Sequence, residues 1–316
     1  MANADTVGSS STIRIRMVDA NGLRFEVDEC VDEGGDGDRL ALCLHGFPEH
    51  SFSWRYQLPL LAELGYRAWA PNLRGYGNSS RPGGMDSYRI EHLLDDVAGL
   101  IDASGCRETV LLAHDWGAVI AWYFAMRQLR PLQKLVICNV PHPGPSSRRG
   151  ISWAQIKKSW YILFFQLPWL PEKLIGADGA KAIGDIMRHS AVDKSRFTPE
   201  VGEVYRRNAA QPGALTAMIN YYRALVLGGG MRRQPQLGYP LIDTPTLMVW
   251  GEDDMALTKE TTYGTEDFVK SLTIRYLPHV SHWVQQEQPE IVNTMIRAFL
   301  CDEPVPQLVW EPTLVS

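Results

Sequence analysis

The sequence predicts an α/β fold: a mostly parallel sheet, helices on both of its faces, and a helical domain inserted between two strands. Three observations carry this expectation. Short apolar runs alternate with stretches of helical periodicity over most of the chain, the pattern of strand–helix–strand units and a parallel sheet. Residues 144–236 break that alternation and contain helix-like stretches rich in aromatic and basic residues, with no convincing strand. The chain has 316 residues and is 45% hydrophobic, enough for one large core with such an insertion.

Strand-like runs at residues 13–18, 23–27 and 40–44 open the chain. The turn sequences NG (21–22) and EGGDGD (33–38) between them predict antiparallel hairpins. A short strand is expected at 68–70. In IEHLLDDVAGLI, Ile90, Leu93, Leu94, Val97, Leu100 and Ile101 share one helical face. Residues 110–113 read as a strand, 117–127 as a helix and 134–138 as a strand. After the helical middle come a strand at 246–250, a helix at 266–270 and a strand at 273–277. The final helix at 290–300 has Ile291, Val292, Met295, Ile296 and Phe299 on one side. The helical segment opens on PHPGP and closes on GGGMRRQP, breaker-rich hinges. The division that follows is a disordered tail at 1–12, a core in two parts at 13–143 and 237–316, and a cap at 144–236.

Composition removes several classes of function. Net charge is −5 with no basic run or stripe, which argues against a nucleic-acid partner. Cys30, Cys43, Cys106, Cys138 and Cys301 are scattered and odd in number, which predicts reduced thiols in a cytoplasm and neither a disulfide framework nor a zinc site. The start, MANADTVGSSST, lacks the charged and apolar regions of a secretion signal. The most apolar stretch, 160–169, is half a membrane span, so a soluble protein without a membrane partner is expected.

Ligands of an open α/β sheet bind at the carboxyl ends of its strands. Four motifs fall there: HGFPE (45–49), HDWGA (114–118), WGEDD (250–254) and HVSHW (279–283). LLAHDWGAVIAW (111–122) has the shape of a strand, a tight turn and a helix. Many hydrolases carry the pattern G-x-S-x-G there, and here Asp115 stands in the serine's place. At the start of a helix, the dipole and free N–H groups favour a carboxylate. His282 supplies a base, and a carboxylate of the Asp253-Asp254 pair would hold its tautomer. The backbone N–H groups of Phe47 and Trp116 are candidates for an oxyanion hole. A carboxylate is a poor acyl-transfer nucleophile but displaces leaving groups at saturated carbon. The aspartyl ester so formed is then cleaved by activated water. Asp115 in this slot therefore selects epoxides or alkyl halides.

These residues resemble the α/β-hydrolase-fold epoxide hydrolases over about residues 13–300. The motifs that carry the resemblance are HGFPE, PNLRGYGNSSRP (71–82), HDWGA, NVPHP (139–143) and HWVQQE (282–287). It implies an eight-stranded, mostly parallel sheet, a helical cap over an apolar pocket, and conversion of an epoxide to a vicinal diol without cofactor or metal. It assigns Asp115 as nucleophile, His282 as base and Asp254, rather than Asp253, as the acid beside it. It also implies two cap tyrosines that protonate the epoxide oxygen. WYILFFQLP supplies Tyr161, and INYYRAL supplies Tyr222, with adjacent Tyr221 as the rival. Ala113 and Ser281 stand where the family commonly has glycine. Trp116, Phe47 and Phe165 are the expected pocket residues, and the substrate is expected to be a small apolar epoxide acted on by a monomer or homodimer. A haloalkane dehalogenase is the rival activity. It shares the nucleophile, but Phe47 stands where its second halide donor belongs.

The remaining candidates carry plainer expectations. His45 and His114 shape their loops, and His142 belongs to the hinge. Glu49 either orders the hydrolytic water or fixes its loop. Phe47-Pro48 is a candidate cis peptide. Trp153, Trp160, Phe164, Phe165 and Trp169 are expected to be core of the cap, with those near Tyr161 also lining the cavity.

Overall fold

The alternation of strands and helices resolves into one eight-stranded sheet. The computed structural model describes residues 12–32, 37–150 and 152–307, so the expected tail at 1–12 lies almost wholly outside them. The strands are β1 (Arg14–Ala20), β2 (Leu23–Cys30), β3 (Arg39–Leu44), β4 (Arg67–Pro71), β5 (Glu108–His114), β6 (Lys134–Cys138), β7 (Thr246–Gly251) and β8 (Leu272–Leu277). Their order is β1-β2-β4-β3-β5-β6-β7-β8. The β1–β2 and β2–β4 pairs are antiparallel, and every pair from β4 to β8 is parallel.

Side-chain alternation along each strand builds two cores from one sheet. On β3, Leu40, Leu42 and Leu44 face a cluster that includes Val97 and Leu100 of α2 (Ile90–Ser104) and Ile120 and Phe124 of α3 (Trp116–Arg127). Ala41 and Cys43 face the other cluster, with Leu58 and Leu61 of α1 (Gln57–Glu63) and Val292 and Ile296 of α13 (Pro289–Leu300). Each fully buried aliphatic side chain contributes about 1.5–3 kcal/mol. A strand that is apolar on both faces needs cover on both, which fixes the three-layer arrangement.

Between β6 and β7 lie α4 (Pro143–Arg149), α5 (Trp153–Lys158), α6 (Trp160–Phe164), α7 (Leu170–Ile175), α8 (Ala177–Ser190), α9 (Pro199–Ala209), α10 (Ala214–Val226) and α11 (Gly230–Gln236). Among the described residues, this insertion holds helices and no strand. The short α12 (Val284–Glu287) precedes α13.

Two expectations are overturned. The β2–β3 hairpin does not form: β4 pairs with β2, Val27 opposite Pro71, and β3 lies beyond it in parallel with β4 and β5. The reason is burial, because five of the six β3 residues are fully enclosed, which a place between two parallel neighbours provides. The helix expected at 266–270 is only a 3-10 turn over Thr265–Asp267. Ile242 accepts from Lys270 N at 3.0 Å and donates to Phe268 O at 2.9 Å, so these backbone groups serve a parallel bridge instead. All five cysteines are free thiols. Among the described residues, no helix is long and apolar enough to cross a membrane.

Candidate active site

The four motifs lie at or just past the carboxyl ends of β3, β5, β7 and β8. β5 ends at His114, and Asp115 turns the chain into α3 with φ 47° and ψ −121°, a backbone conformation that is strained for a side chain with a Cβ. Two glycines make the turn fit. A Cβ on Gly117 would stand 2.3 Å from the Leu44 carbonyl oxygen, so only glycine lets α3 begin against the end of β3. A Cβ on Gly46 would stand 2.3 Å from the Asp115 Cβ, and its absence lets the HGFPE loop close over the carboxylate. Phe47 N–H donates to Asp115 Oδ1 at 2.6 Å. The Phe47-Pro48 peptide is cis. The Trp116 N–H is the first of α3 and has no intrahelical acceptor.

His282 stands between two carboxylates. Its Nε2 is 3.6 Å from Asp115 Oδ2, longer than a hydrogen bond, and its Nδ1 is 2.6 Å from Asp254 Oδ2. Asp254 is saturated: Oδ2 also accepts from Asn139 Nδ2 at 2.8 Å, and Oδ1 from the amides of Ala256 and Leu257 at 2.7 and 2.9 Å. Burial alone would depress the imidazole, but attraction to Asp254 and Asp115 prevails and raises His282 to about 10. Burial raises both carboxyls in turn, yet His282 and the surrounding donors hold Asp115 and Asp254 below the ordinary carboxylate range.

Above Asp115 is a cavity of about 310 Å³ whose wall includes Phe47, Asp115, Tyr161, Phe165, Tyr222 and His282. Tyr161 of α6 and Tyr222 of α10 meet edge to face, with centroids 5.9 Å apart. Burial raises both phenols, and the Asp115 charge raises them further, so they stay protonated at neutral pH.

A family model described as the α/β hydrolase fold matches residues 42–289. Human epoxide hydrolase 4 is 36% identical over 304 residues, 94% of this chain and 80% of that protein. The AB hydrolase superfamily protein YfhM of Bacillus subtilis is 36% identical over 293 residues, 91% of this chain and 98% of that one. The crystal structure of Bacillus megaterium epoxide hydrolase in complex with an inhibitor matches with a TM-score of 0.79 at 29% identity, over 90% of this chain and 100% of that one. The chain belongs to the α/β hydrolase-fold family.

Within this α/β hydrolase, Asp115, His282, Asp254, Tyr161, Tyr222 and the Phe47 amide come together around one cavity. The rival positions do not. Tyr221 is fully buried and its hydroxyl donates to Arg74 O at 2.8 Å. Asp253 lies 3.7 Å from His279, away from His282. Trp116, expected in the pocket, lies behind its wall: it is buried, absent from the lining, and packs edge-on against Tyr221 and Tyr222 at 5.4 and 5.1 Å. The expectation that the cap aromatics are core holds for Phe165 and fails for Trp153, Trp160 and Trp169, which are 79%, 62% and 65% exposed.

Of the two readings of Glu49, the geometry favours loop fixation. Oε2 accepts from the Gly46 amide at 3.1 Å and faces His114 Nδ1 at 2.7 Å, while Oε1 accepts from Gln285 and Gln286 at 3.1 and 2.7 Å. His114 Nε2 is 2.8 Å from the His282 carbonyl oxygen, which can only accept. Both His114 nitrogens therefore face oxygen atoms, which fixes the ring between the HGFPE loop and the His282 backbone. Sequence reasoning gave no role to Asn139, Gln285 or Gln286. They lie inside NVPHP and HWVQQE, but only the fold shows that they reach Asp254 and Glu49.

Proposed function

We propose that this chain is an epoxide hydrolase that opens its substrate through a covalent ester on Asp115. The observation that carries the reading is one apolar cavity in which a strained, desolvated carboxylate faces a histidine on one side and two phenols on the other. The names of two of the three relatives support the same reaction. In this reading the helices between β6 and β7 form a cap domain over a two-part core, and the five free thiols fit a cytoplasmic location.

Asp115 Oδ2 attacks one ring carbon from behind, the C–O bond breaks, and Tyr161 and Tyr222 protonate the departing oxygen. Esterification removes the Asp115 charge, one of the attractions that raise His282. The imidazole then releases its proton, which restores the proton count after ring opening and leaves a neutral base. His282 next takes a proton from water, which attacks the Asp115 carbonyl carbon. The Phe47 N–H at Oδ1 and the Trp116 N–H stabilise the oxyanion. Collapse expels the alkoxide, which takes the remaining water proton from the new carboxyl to give the diol and regenerate the Asp115 carboxylate, while Asp254 holds the His282 ring in place in both charge states.

Halide displacement fits less well. A departing halide needs convergent N–H donors, but the Trp116 side chain lies outside the cavity lining and Phe47 offers no side-chain donor. The test is the intact mass of a His282→Gln variant after incubation with styrene oxide, with His282→Gln/Asp115→Asn as control. A single adduct that vanishes in the control is expected. Adducts of equal extent in both proteins would be thiol alkylation and would refute the ester.

A further inference from the structure

The misplaced aromatics of the cap form a pattern. On α5 and α6, Trp153, Ile156, Trp160 and Leu163 recur in steps of three and four, one helical face, and are 79%, 47%, 62% and 71% exposed. The opposite face carries Gln155 and Phe165, both buried, and Tyr161, which lines the cavity. This orientation is fixed. Gln155 donates to Ala256 O at 2.8 Å and accepts from Thr258 N at 2.9 Å, and Lys158 donates to the Asp254 carbonyl. Trp169 and Leu174 continue the apolar surface on and beside α7.

Charge on this surface has one sign. The chain as a whole is acidic, yet no Asp or Glu occurs between Asp115 and Glu172. Lys157 is exposed between Ile156 and Trp160, and Lys173 lies over the Trp169 ring at 5.9 Å. Glu172 is spent inward on Arg223 at 2.6 Å; the next acids along the chain, exposed Asp178 and half-buried Asp185, stand on α8 outside the α5–α7 face, and Asp185 pairs with Lys181. Exposed tryptophan and aliphatic residues interleaved with lysine are the composition of a surface that lies in a lipid headgroup region. The active-site cavity opens there, because Trp160, Ile186 and Met255 are both exposed and part of its lining.

We propose that the α5–α7 face docks on an anionic lipid surface, with the cavity mouth against the bilayer, so that apolar substrate enters from lipid rather than from water. Docking on a surface needs no spanning helix, and it replaces the expectation of no membrane partner. The docking surface stands apart from the epoxide reading, on which only the identity of the entering substrate rests.

The test is flotation of the full chain with vesicles of phosphatidylcholine containing phosphatidylglycerol, against pure phosphatidylcholine. The two lysines predict binding about tenfold or more tighter to the anionic vesicles, reduced by added salt. Trp153→Ser/Leu163→Ser is expected to cut vesicle binding about tenfold or more while turnover of a water-soluble epoxide stays unchanged. Absence of binding to either vesicle overturns the proposal. So does light scattering that shows a dimer converted to monomer by the double variant without vesicle binding, since the face would then join two copies of the chain. Loss of turnover in the unmodified chain would refute the epoxide reading and leave the flotation result standing.

Discussion

At Asp115 the backbone adopts a conformation that costs about 1–3 kcal/mol, and Gly46 in the loop after β3 and Gly117 in α3 leave the room that accommodates it. Asp254 first and the same Asp115 second hold the charge on His282. An imidazole with an ordinary value of 6.5 and a folded value of about 10 binds its proton more tightly in the native state. The stability this contributes is complete below about pH 6.5 and is lost as pH rises toward 10. Melting temperature should therefore fall across that window, and His282→Gln should flatten the fall. In Asp115→Asn, one of the two attracting carboxylates is gone, so the fall should still begin near pH 6.5 but be smaller and end at lower pH. Thermal melts over a pH series check this, and an unchanged profile in His282→Gln would assign the decline elsewhere. The residues around this histidine were legible to different degrees. Asp115 and His282 stand out because one directly follows β5 and the other lies in the loop past β8, where an open α/β sheet holds its ligands, and because a carboxylate in a serine's slot changes the chemistry of the turn. Asn139 and Gln286 do not, because their partners come from segments remote in sequence, and only the assembled sheet brings them within 3 Å.

Strands and helices were readable wherever one periodicity governed a segment, as in α2 and α13, and unreadable where a neighbour decided. The order of β2, β4 and β3 follows from which strand needs two covered faces, and residues 265–270 gave up helix for a bridge to Ile242. The apolar face of α2 hides another such decision. Asp96 is buried on it, because Arg74 from the loop after β4 reaches it with Nε–Oδ2 at 2.5 Å and Nη2–Oδ1 at 2.6 Å. Asn21 donates to the same carboxylate at 2.8 Å, and the guanidinium also donates to the carbonyls of Ser87 and His92. Arg74→Met should strand this carboxylate and cost about 3–5 kcal/mol, whereas Arg74→Met/Asp96→Leu should recover much of the loss. Urea unfolding of the two variants decides it. Equal destabilisation in both would mean that the carbonyl contacts of Arg74, rather than its charge, hold the loop.

Across the whole molecule, the insertion shares one apolar cluster with the sheet, and polar contacts to the loops and to α12 pin its position. Arg81 reaches Pro212 O and Gln211, Tyr205 donates to Gln286 at 2.6 Å, Asp193 N donates to Glu287, and Tyr221 donates to Arg74 O. The adjacent tyrosines of α10 thus divide two tasks that one dipeptide cannot reveal by sequence. Tyr221 joins the insertion to the Arg74 loop, while Tyr222 presents its ring to the cavity. Tyr221→Phe should leave a buried carbonyl without its partner and cost about 1–2 kcal/mol, with turnover changed little. Tyr222→Phe should do the reverse, because a positioned acid is worth about 10²-fold or more in rate and phenylalanine keeps the ring contacts to Phe47, Trp116, Tyr161 and Phe165. Paired melts and epoxide turnover on the two variants separate the roles. A Tyr222→Phe enzyme with undiminished turnover would leave Tyr161 as the sole proton donor. A Tyr221→Phe enzyme with undiminished stability would shift the joining of insertion and core to the contacts of Arg81, Asp193 and Tyr205.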